Sequence, residues 1–338
     1  MELRPLGRTG VQVSKLCLGT MMFGAWGTKD HDESIRIIHR ALDAGVNFVD
    51  TADVYSQGES EEIVGKALKG RRDDIVLATK FFMPFDDDPN HRGGSRRWIM
   101  TEVEHSLRRL GTDHIDLYQM HRYDPAVDFD ETLGALTDLV RAGKVRSIGH
   151  STFPASALID AQYIARDRGR ERFVTEQPTY SILTRNIEHE ILPLTQRYGM
   201  GVLSYSPLAG GWLSGRYRKD EHTGPASQAR PGNRFDMSTP ENQRKLDAVD
   251  ALGKLADDAG ISLIDMAIAF VLRHPAITST IIGPRTLEHL ESQLAAADVE
   301  LSDDVLDRID EIVPPGVTIN PADNGWVSPS LQPNARRR

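Results

Sequence analysis

Short apolar runs alternate with amphipathic stretches along most of this chain. Eight runs have the length and the β-branched or aromatic content of buried strands, and they lie at 15–19, 46–50, 75–79, 115–120, 145–149, 173–177, 201–205 and 278–282. Between these runs, apolar residues recur every three or four positions, which predicts helices. Two shorter runs flank Gly7-Arg8-Thr9-Gly10 and predict a β-hairpin over 2–13.

Capping residues mark where the predicted helices begin and end. Asp30 and Glu33 precede the first helical stripe as a capping pair, and Gly45 ends that helix. Further helices are predicted near 59–69, 99–110, 133–140, 155–168 and 188–198, twice between 240 and 278, and again at 287–294. The segment 208–240 is rich in Gly, Pro, Ser and Arg and has no periodicity, so we expect a functional loop there.

The order of elements predicts an α/β fold. Eight strands, each followed by a helix, without a composition break, favour one closed (β/α)8 TIM barrel over a doubly wound open sheet. The residues directly after the first seven strands are 26 to 41 positions apart, as repeated βα units require; they are Thr20, Asp50, Lys80, His121, Ser151, Gln177 and Tyr205. We expect a single domain over 1–338, with the hairpin 2–13 ahead of the barrel and the long loop 208–240 after the seventh strand. An extra carboxyl-terminal helix is expected, with a tail over 314–338 near the mouth of the barrel.

Composition argues against several classes of function. The 338 residues carry a formal net charge of −9 with scattered basic residues, so no nucleic-acid partner is expected. No apolar run approaches the roughly 20 residues of a membrane span, and the polar start lacks a signal-peptide core, so we expect a cytoplasmic protein without membrane contact. Cys17, the only cysteine, lies in an apolar run, which predicts a small buried hydrophobe and no intrachain disulfide.

The polar residues after the predicted strands form a possible reaction site, because parallel barrel strands converge with their carboxyl ends on one face. Taken alone, Asp50 suits a turn or a helix cap, and Tyr55 suits a loop aromatic. Beside Lys80, however, the pKa of Tyr55 is expected to fall from about 10 toward neutrality, since an ammonium favours the phenolate. Asp50 can hold that ammonium, and His121 can polarise a carbonyl oxygen. The group can protonate an alkoxide but contains no reductant.

Several motifs then resemble the aldo-keto reductase superfamily over roughly 2–312, in particular its bacterial NADP-dependent members and those related to potassium-channel β subunits. The motifs are Leu6-Gly7-Arg8-Thr9-Gly10, Asp50-Thr51-Ala52-x-x-Tyr55, Ala78-Thr79-Lys80, Asp116-Leu117-Tyr118-x-x-His121 and Tyr205-Ser206-Pro207-Leu208. The resemblance implies an oxidoreductase that uses NADPH in preference to NADH and reduces aldehydes or ketones to alcohols. It implies Tyr55 as the proton donor, assisted by Asp50, Lys80 and His121.

The resemblance also implies a set of cofactor-binding positions. They are Gly19, Thr20, Met21, Asp50, Ser151, Thr152, Gln177, Tyr205, Ser206, Pro207, Leu208, Ala209, Gly210, Arg216, Arg234, Gly283, Arg285, His289 and Gln293. Physically, a helix N-terminus beside an arginine is an anion site, which suits the 2′-phosphate of NADPH near Arg285. This chain departs from the family pattern at Thr152, where Asn is usual, at the pair Ser292-Gln293, and at His289, where Arg or Gln is frequent.

Substrate contacts are expected from Tyr55, His121, Phe23, Trp26 and Phe82, with further pocket walls from Phe81, Met83, Trp212 and Trp326 in the tail. For each loop aromatic, packing of the loop itself is the alternative. Two other functions stay open: a cofactor-binding regulatory subunit with little turnover, and a metal-dependent barrel hydrolase. The hydrolase needs clustered ligands such as a His-x-His pair, which the 11 histidines do not form, so no metal is expected.

Overall fold

The computed structural model describes residues 1–217, 232–325, 331 and 333–337. Its strands are β1 Leu3–Pro5, β2 Gln12–Ser14, β3 Leu16–Gly19, β4 Phe48–Asp50, β5 Val76–Phe81, β6 Ile115–Met120, β7 Val145–His150, β8 Phe173–Glu176, β9 Gly201–Tyr205 and β10 Ile277–Ile282. Strands β1 and β2 pair antiparallel, and the other eight close a parallel barrel in the order β10-β3-β4-β5-β6-β7-β8-β9. The predicted hairpin and TIM barrel are both confirmed, and the open sheet is excluded.

The helices surround the barrel and follow the predicted order. They are α1 His31–Asp43, α2 Glu59–Leu68, α3 Arg96–Leu110, α4 Phe129–Arg141, α5 Ala155–Arg168, α6 Ile191–Tyr198, α7 Pro240–Asp258, α8 Leu263–Arg273, α9 Leu287–Ala295, α10 Asp303–Ile312 and the short α11 Pro333–Arg336. The Asp30 side chain caps α1 by accepting from the backbone amides of Asp32 and Glu33. Helix α6 begins three residues later than predicted, because a separate 3-10 turn occupies Asn186–Glu188.

The barrel interior is filled by one inward-facing residue from each of several strands. This inner core consists of Leu6, Val13, Cys17, Phe48, Ala78, Leu117, Leu203 and Ile281. Leu6 and Val13 come from the hairpin, which therefore closes one end of the barrel. Gly7, with φ 57°, has no room for a side chain there, since a Cβ would lie 2.8 Å from the Gly201 nitrogen. Cys17 is fully buried as predicted, and burial raises the pKa of its thiol well above the ordinary value.

Most of the predicted loop 208–240 is described on both sides of a gap. A 3-10 turn covers Ala209–Ser214, another covers Gly232–Phe235, and α7 begins at Pro240. Trp212 stacks on Tyr217 with ring centroids 4.5 Å apart, and both belong to a second core under the loop that includes residues of α7 and α8. The loop is therefore packed onto the barrel side that carries β9 and β10.

Candidate functional site

The polar residues at the strand ends share the orientation of the inner core. Side chains two positions apart along a strand point the same way, so Asp50 follows Phe48 inward, Lys80 follows Ala78, and Gln119 follows Leu117. The parallel register also pairs Lys80 with Gln119 on adjacent strands. These side chains therefore gather above the inner core at the carboxyl end of the barrel. The hairpin closes the opposite end.

Lys80 is fully buried and has three hydrogen-bond acceptors around its ammonium. Its Nζ lies 2.5 Å from Asp50 Oδ1, 2.7 Å from the Thr51 carbonyl oxygen and 3.3 Å from the Tyr55 hydroxyl oxygen. Burial alone lowers the pKa of Lys80, but attraction to Asp50 and Tyr55 outweighs it, and the net effect raises that pKa above its ordinary value. The ammonium is therefore charged, and its three N–H groups are all used.

The second Asp50 oxygen is held by two amides. Oδ2 accepts from Gln119 Nε2 at 3.0 Å and from Gln177 Nε2 at 2.8 Å, and all three side chains are at most 3% exposed. Such a bonded, ion-paired carboxylate cannot turn away from Lys80 without leaving buried groups unsatisfied. Gln119 was missed in the sequence, although it has the same parity as Leu117 and His121 and so could have been found by that signal.

Tyr55 lies on a turn anchored to two barrel loops. The Asp53 amide donates to the Lys80 carbonyl at 3.1 Å, and the Ser56 hydroxyl bridges to the loop after β3 through the Phe23 carbonyl and the Trp26 amide. Burial raises the pKa of Tyr55 above its ordinary value, and Lys80 opposes this without reversing it. The expected fall in the Tyr55 pKa is therefore wrong: desolvation outweighs the neighbouring ammonium, and the phenol keeps its proton at neutral pH.

His121 stands beside the phenol, with the two rings edge-on and their centroids 5.9 Å apart. Burial lowers the pKa of His121 well below its ordinary value, and the charges of Arg122 and Lys80 act in the same direction. The imidazole is therefore neutral at pH 7 and carries one N–H, so it can donate one hydrogen bond without adding charge. We refer to Asp50, Tyr55, Lys80 and His121 as the Tyr55 cluster.

A cavity of about 330 Å³ opens above the Tyr55 cluster, within the range of small-molecule sites. Most of the residues expected to bind a cofactor line it. These are Gly19, Thr20, Met21, Asp50, Ser151, Gln177, Tyr205, Ser206, Pro207, Leu208, Gly210, Arg216, Gly283, Arg285, His289 and Gln293. Wall residues that the sequence interpretation did not assign include Met22, Arg122, Phe235 and Ile264. They lie on loops and on α8, where strand parity gives no signal.

Arg216, Arg285 and His289 form a second charged group on the wall, which we call the Arg285 cluster. Arg285 follows β10, and Thr286 caps α9 by accepting from the His289 amide. Burial lowers the pKa of His289, and Arg285 adds to that effect, so this imidazole is neutral. Gln293 on α9 has its Oε1 buried without a partner among the described residues. The wall here thus offers positive charge, a helix N-terminus and one unsatisfied acceptor.

Left-handed backbone occurs at three non-glycine residues in the segments that follow β7 and β9. The φ angles are 56° at Thr152, 60° at Ser206 and 50° at Ala209. Ser151 Oγ donates to the Gln177 carbonyl at 2.8 Å, and Thr152 Oγ1 lies 3.4 Å from the Tyr205 hydroxyl, so the ends of β7, β8 and β9 are tied together. Strained backbone held by such contacts is typical of ligand sites.

Some expected site residues lie elsewhere. Thr152, Ala209 and Arg234 are not among the residues that line the cavity. Arg234 instead donates from Nε and Nη2 to Asp323 Oδ1, at 2.9 and 2.7 Å, and Asp323 also accepts from Lys245. Since its charge is paired with a tail carboxylate, Arg234 connects the loop to the tail, where a cofactor contact was expected.

The aromatic residues that were expected to form the substrate pocket also differ in where they lie. Phe23, Phe81 and Trp212 are at most 1% exposed and pack in the cores, which corrects the expectation for Phe23 as a substrate contact. Phe82, with φ 125°, does not line the cavity. It packs against the apolar core between the barrel strands and the surrounding helices, which we call the outer core. Trp26 is 37% exposed with its ring centroid 6.1 Å from that of Tyr55. Trp326 lies outside the described residues.

Within the described part of the chain, no group of three His, Cys, Asp or Glu side chains is arranged to hold a metal ion. In the same residues, every helix is too short or too polar to cross a bilayer.

The comparisons with known proteins agree with this geometry. The family model described as "Aldo/keto reductase family" matches residues 15–314. The chain is 40% identical over 325 residues to "Uncharacterized oxidoreductase YrpG" of Bacillus subtilis, covering 93% of this chain and 96% of that protein. It is 36% identical to "Aldo-keto reductase YhdN" of the same organism, covering 86% of this chain and 87% of that protein.

A relative whose name indicates a different role is similar over a comparable length. The chain is 34% identical over 327 residues to "Putative voltage-gated potassium channel subunit beta" of Schizosaccharomyces pombe, covering 93% of both chains. The similarity thus extends over nearly the whole barrel in proteins named as oxidoreductases and in one named as a channel subunit.

Proposed function

Because the chain belongs to the aldo/keto reductase family, we propose that it reduces aldehydes or ketones to alcohols with NADPH, using Tyr55 as the proton donor. A bound reduced nicotinamide supplies the hydride that the Tyr55 cluster lacks. The proposal rests on one observation above all: the Lys80 ammonium donates to the Tyr55 oxygen at 3.3 Å. An ammonium cannot accept a hydrogen bond. The phenolic hydrogen therefore points away from Lys80 and is available to a carbonyl oxygen in the cavity.

The chain's own groups then move one proton. The raised pKa keeps Tyr55 protonated until negative charge develops on the substrate oxygen. As the proton leaves, Lys80 stabilises the phenolate, and Asp50 with its two amide donors fixes the position of the ammonium. Neutral His121 donates a hydrogen bond to the same oxygen and orients the carbonyl.

The cavity wall fits the proposed cofactor. Ser151 and Gln177 carry polar groups suited to a carboxamide, and the Tyr205 ring is available to stack on a nicotinamide. Arg216 and Arg285 supply positive charge for phosphates, and Arg285 stands beside the N-terminus of α9. The unpartnered Gln293 oxygen suits an amino donor such as that of adenine. With His289 neutral, preference for NADPH over NADH rests on the two arginines.

The test compares Tyr55→Phe with Tyr118→Phe. Turnover of an aromatic aldehyde, followed by loss of nicotinamide absorbance, should fall about 10²- to 10⁴-fold in Tyr55→Phe, while NADPH binding by fluorescence titration changes little. Tyr118 is the matched control, because its buried hydroxyl has no partner among the described residues and lies in the outer core. Tyr118→Phe should retain turnover. Wild-type turnover in Tyr55→Phe contradicts the assignment.

The similarity to a named potassium-channel β subunit supports a second candidate, a cofactor-binding subunit with little turnover. The same titration separates the two. Tight NADPH binding without reduction of any compound in a panel of aldehydes and ketones favours the subunit role. The intact Tyr55 cluster favours the reductase.

A further inference from the structure

The cavity wall carries more positive than negative charge. Among the described residues that line it, Asp50 is the acidic one, and it is bonded to Lys80. Arg216 and Arg285 belong to the Arg285 cluster, and a third guanidinium, Arg122, lies beside the Tyr55 cluster. The proposed function uses the first two for the cofactor and leaves Arg122 without a role.

Arg122 is held in place by neutral groups. Its Nη1 donates to the His121 carbonyl oxygen at 2.5 Å and lies 3.4 Å from Ser151 Oγ. The side chain is half-buried, and no carboxylate in the described part of the chain forms an ion pair with it. A guanidinium has five N–H donors, and the two acceptors found here engage only one of its nitrogens. Donors on the remaining nitrogens are left for another partner.

The charge of Arg122 also acts on two of the reacting groups. Its charge is one of the influences that lower the pKa of His121 and one of those that oppose the rise at Tyr55, so it acts on the same space as the reacting groups. The Lys80 ammonium acts on the pKa of His121 in the same direction. A half-buried guanidinium that has no carboxylate partner among the described residues is stabilised most by an anion, and its planar fork matches a carboxylate.

We propose that Arg122 binds a carboxylate carried by the substrate, so that the preferred substrates are aldehydes or ketones that also bear a carboxylate group. This inference rests on the proposed reductase function. The carbonyl group meets Tyr55 and His121, and the carboxylate meets the free face of Arg122. Neutral carbonyl compounds of the same shape lack that ion pair and are reduced less efficiently.

The experiment uses matched aldehydes that differ in one substituent. The 2-, 3- and 4-carboxybenzaldehydes are compared with the corresponding methylbenzaldehydes at saturating NADPH, and kcat/KM is measured for each pair. In the wild-type protein, at least one isomer should be preferred about 10- to 100-fold over its methyl counterpart, as expected for a charge-assisted hydrogen-bonded pair. The ratio within a pair is the readout because general damage to the site cancels from it.

Three variants sharpen the measurement. Arg122→Met should bring the carboxyl-to-methyl ratio close to one, and Arg122→Lys should restore part of it, since the charge returns without the fork. Arg146→Met is the matched control, because it removes the same charge from an exposed arginine outside the cavity wall. It should leave the ratio at the wild-type value.

The possible outcomes distinguish failure of this inference from failure of the proposed reductase function. If no aldehyde is reduced, the proposed function fails and the inference with it. If aldehydes are reduced but the wild type prefers no carboxylated isomer, or Arg122→Met keeps the preference, only the inference is overturned. If Arg122→Met instead weakens NADPH binding with the ratio intact, Arg122 serves the cofactor, and the inference is again overturned.

Discussion

The two charged groups on the cavity wall are built in opposite ways. In the Tyr55 cluster, Lys80 is fully buried, and its three donors and the Asp50 oxygens are all engaged by protein groups. In the Arg285 cluster, the side chains come from loops and from the first turn of α9; Arg285 is only partly buried, and Arg216 is exposed. In the first group, Asp50 and Lys80 lie on barrel strands, and Tyr55 and His121 lie on the segments that follow two strands. The second group lies around the rim.

This difference indicates that stability and function are coupled in the Tyr55 cluster and largely separate in the Arg285 cluster. Removing Asp50 or Lys80 from the Tyr55 cluster leaves a buried charge or amide without its partner, so stability and chemistry are lost together. The Arg285 cluster lies at the rim of the barrel, so removing one of its side chains should change cofactor affinity more than it changes stability. Three predictions test this contrast.

The largest effect is expected for Lys80→Met. It leaves Asp50 buried without its counter-ion, which should cost about 3–5 kcal/mol of unfolding free energy in urea titrations. It also removes the group that stabilises the phenolate, so turnover should fall at least about 100-fold.

Lys245→Met provides the matched control. Lys245 is equally buried and bonds Asp323 at 2.6 Å, but it does not line the cavity. This variant should lose somewhat less stability than Lys80→Met, because Arg234 still pairs with Asp323, and its folded fraction should keep most of its kcat at saturating NADPH. Equal loss of turnover in both variants contradicts the assignment of Lys80.

A smaller effect, confined to binding, is expected for Arg285→Ala. Loss of a charge-assisted contact to the 2′-phosphate should raise the Kd for NADPH about 10- to 100-fold. The Kd for NADH should change much less, and urea unfolding should hardly change. Fluorescence titration with both cofactors checks this, and equal losses for NADPH and NADH remove Arg285 from the 2′-phosphate site.

The smallest effect concerns Asp53, which is buried behind the Tyr55 cluster. Burial raises the pKa of its carboxyl well above the ordinary value, and Glu61 and Glu102 add to this, while Arg109 and the Val54 amide oppose it. As pH rises above about 4, the unfolded chain releases this proton and the folded chain retains it. One such group therefore lowers the unfolding free energy by up to about 1.4 kcal/mol per pH unit, until the folded-state pKa is reached.

Asp53→Asn removes that dependence and keeps the oxygen that accepts from the Val54 amide at 2.6 Å. Relative to the wild type, it should become more stable as pH rises from 5.5 to 8 in urea titrations. Asp43→Asn is the control, because Asp43 is exposed and its pKa is lowered by Arg71, so it is ionised throughout this range. A wild-type pH slope in Asp53→Asn shows that Asp53 is not the titrating group.

Most of the fold could be predicted from hydrophobic periodicity in the sequence. The eight apolar runs, the glycine-rich hairpin turn and the helical stripes predicted the barrel and its order of elements, because hydrophobic periodicity is a local property of the chain. Their position at the carboxyl ends of the strands placed Asp50, Lys80 and His121 on one face of the barrel. Strand parity also marks Gln119, whose contact with Asp50 was overlooked.

What the sequence could not supply is each group's surroundings, which residues distant along the chain provide. The direction of the pKa shift of Tyr55 depends on desolvation by the loops packed around it. That desolvation raises the pKa more than the adjacent Lys80 ammonium lowers it. Phe23 does not face the cavity because it is buried in a core, and the charge of Arg234 is paired with Asp323 in the tail. The sequence by itself therefore determined the barrel and the chemical groups at its mouth. The tertiary structure decided their protonation and which of them face the cavity, since burial and pairing depend on contacts between remote segments.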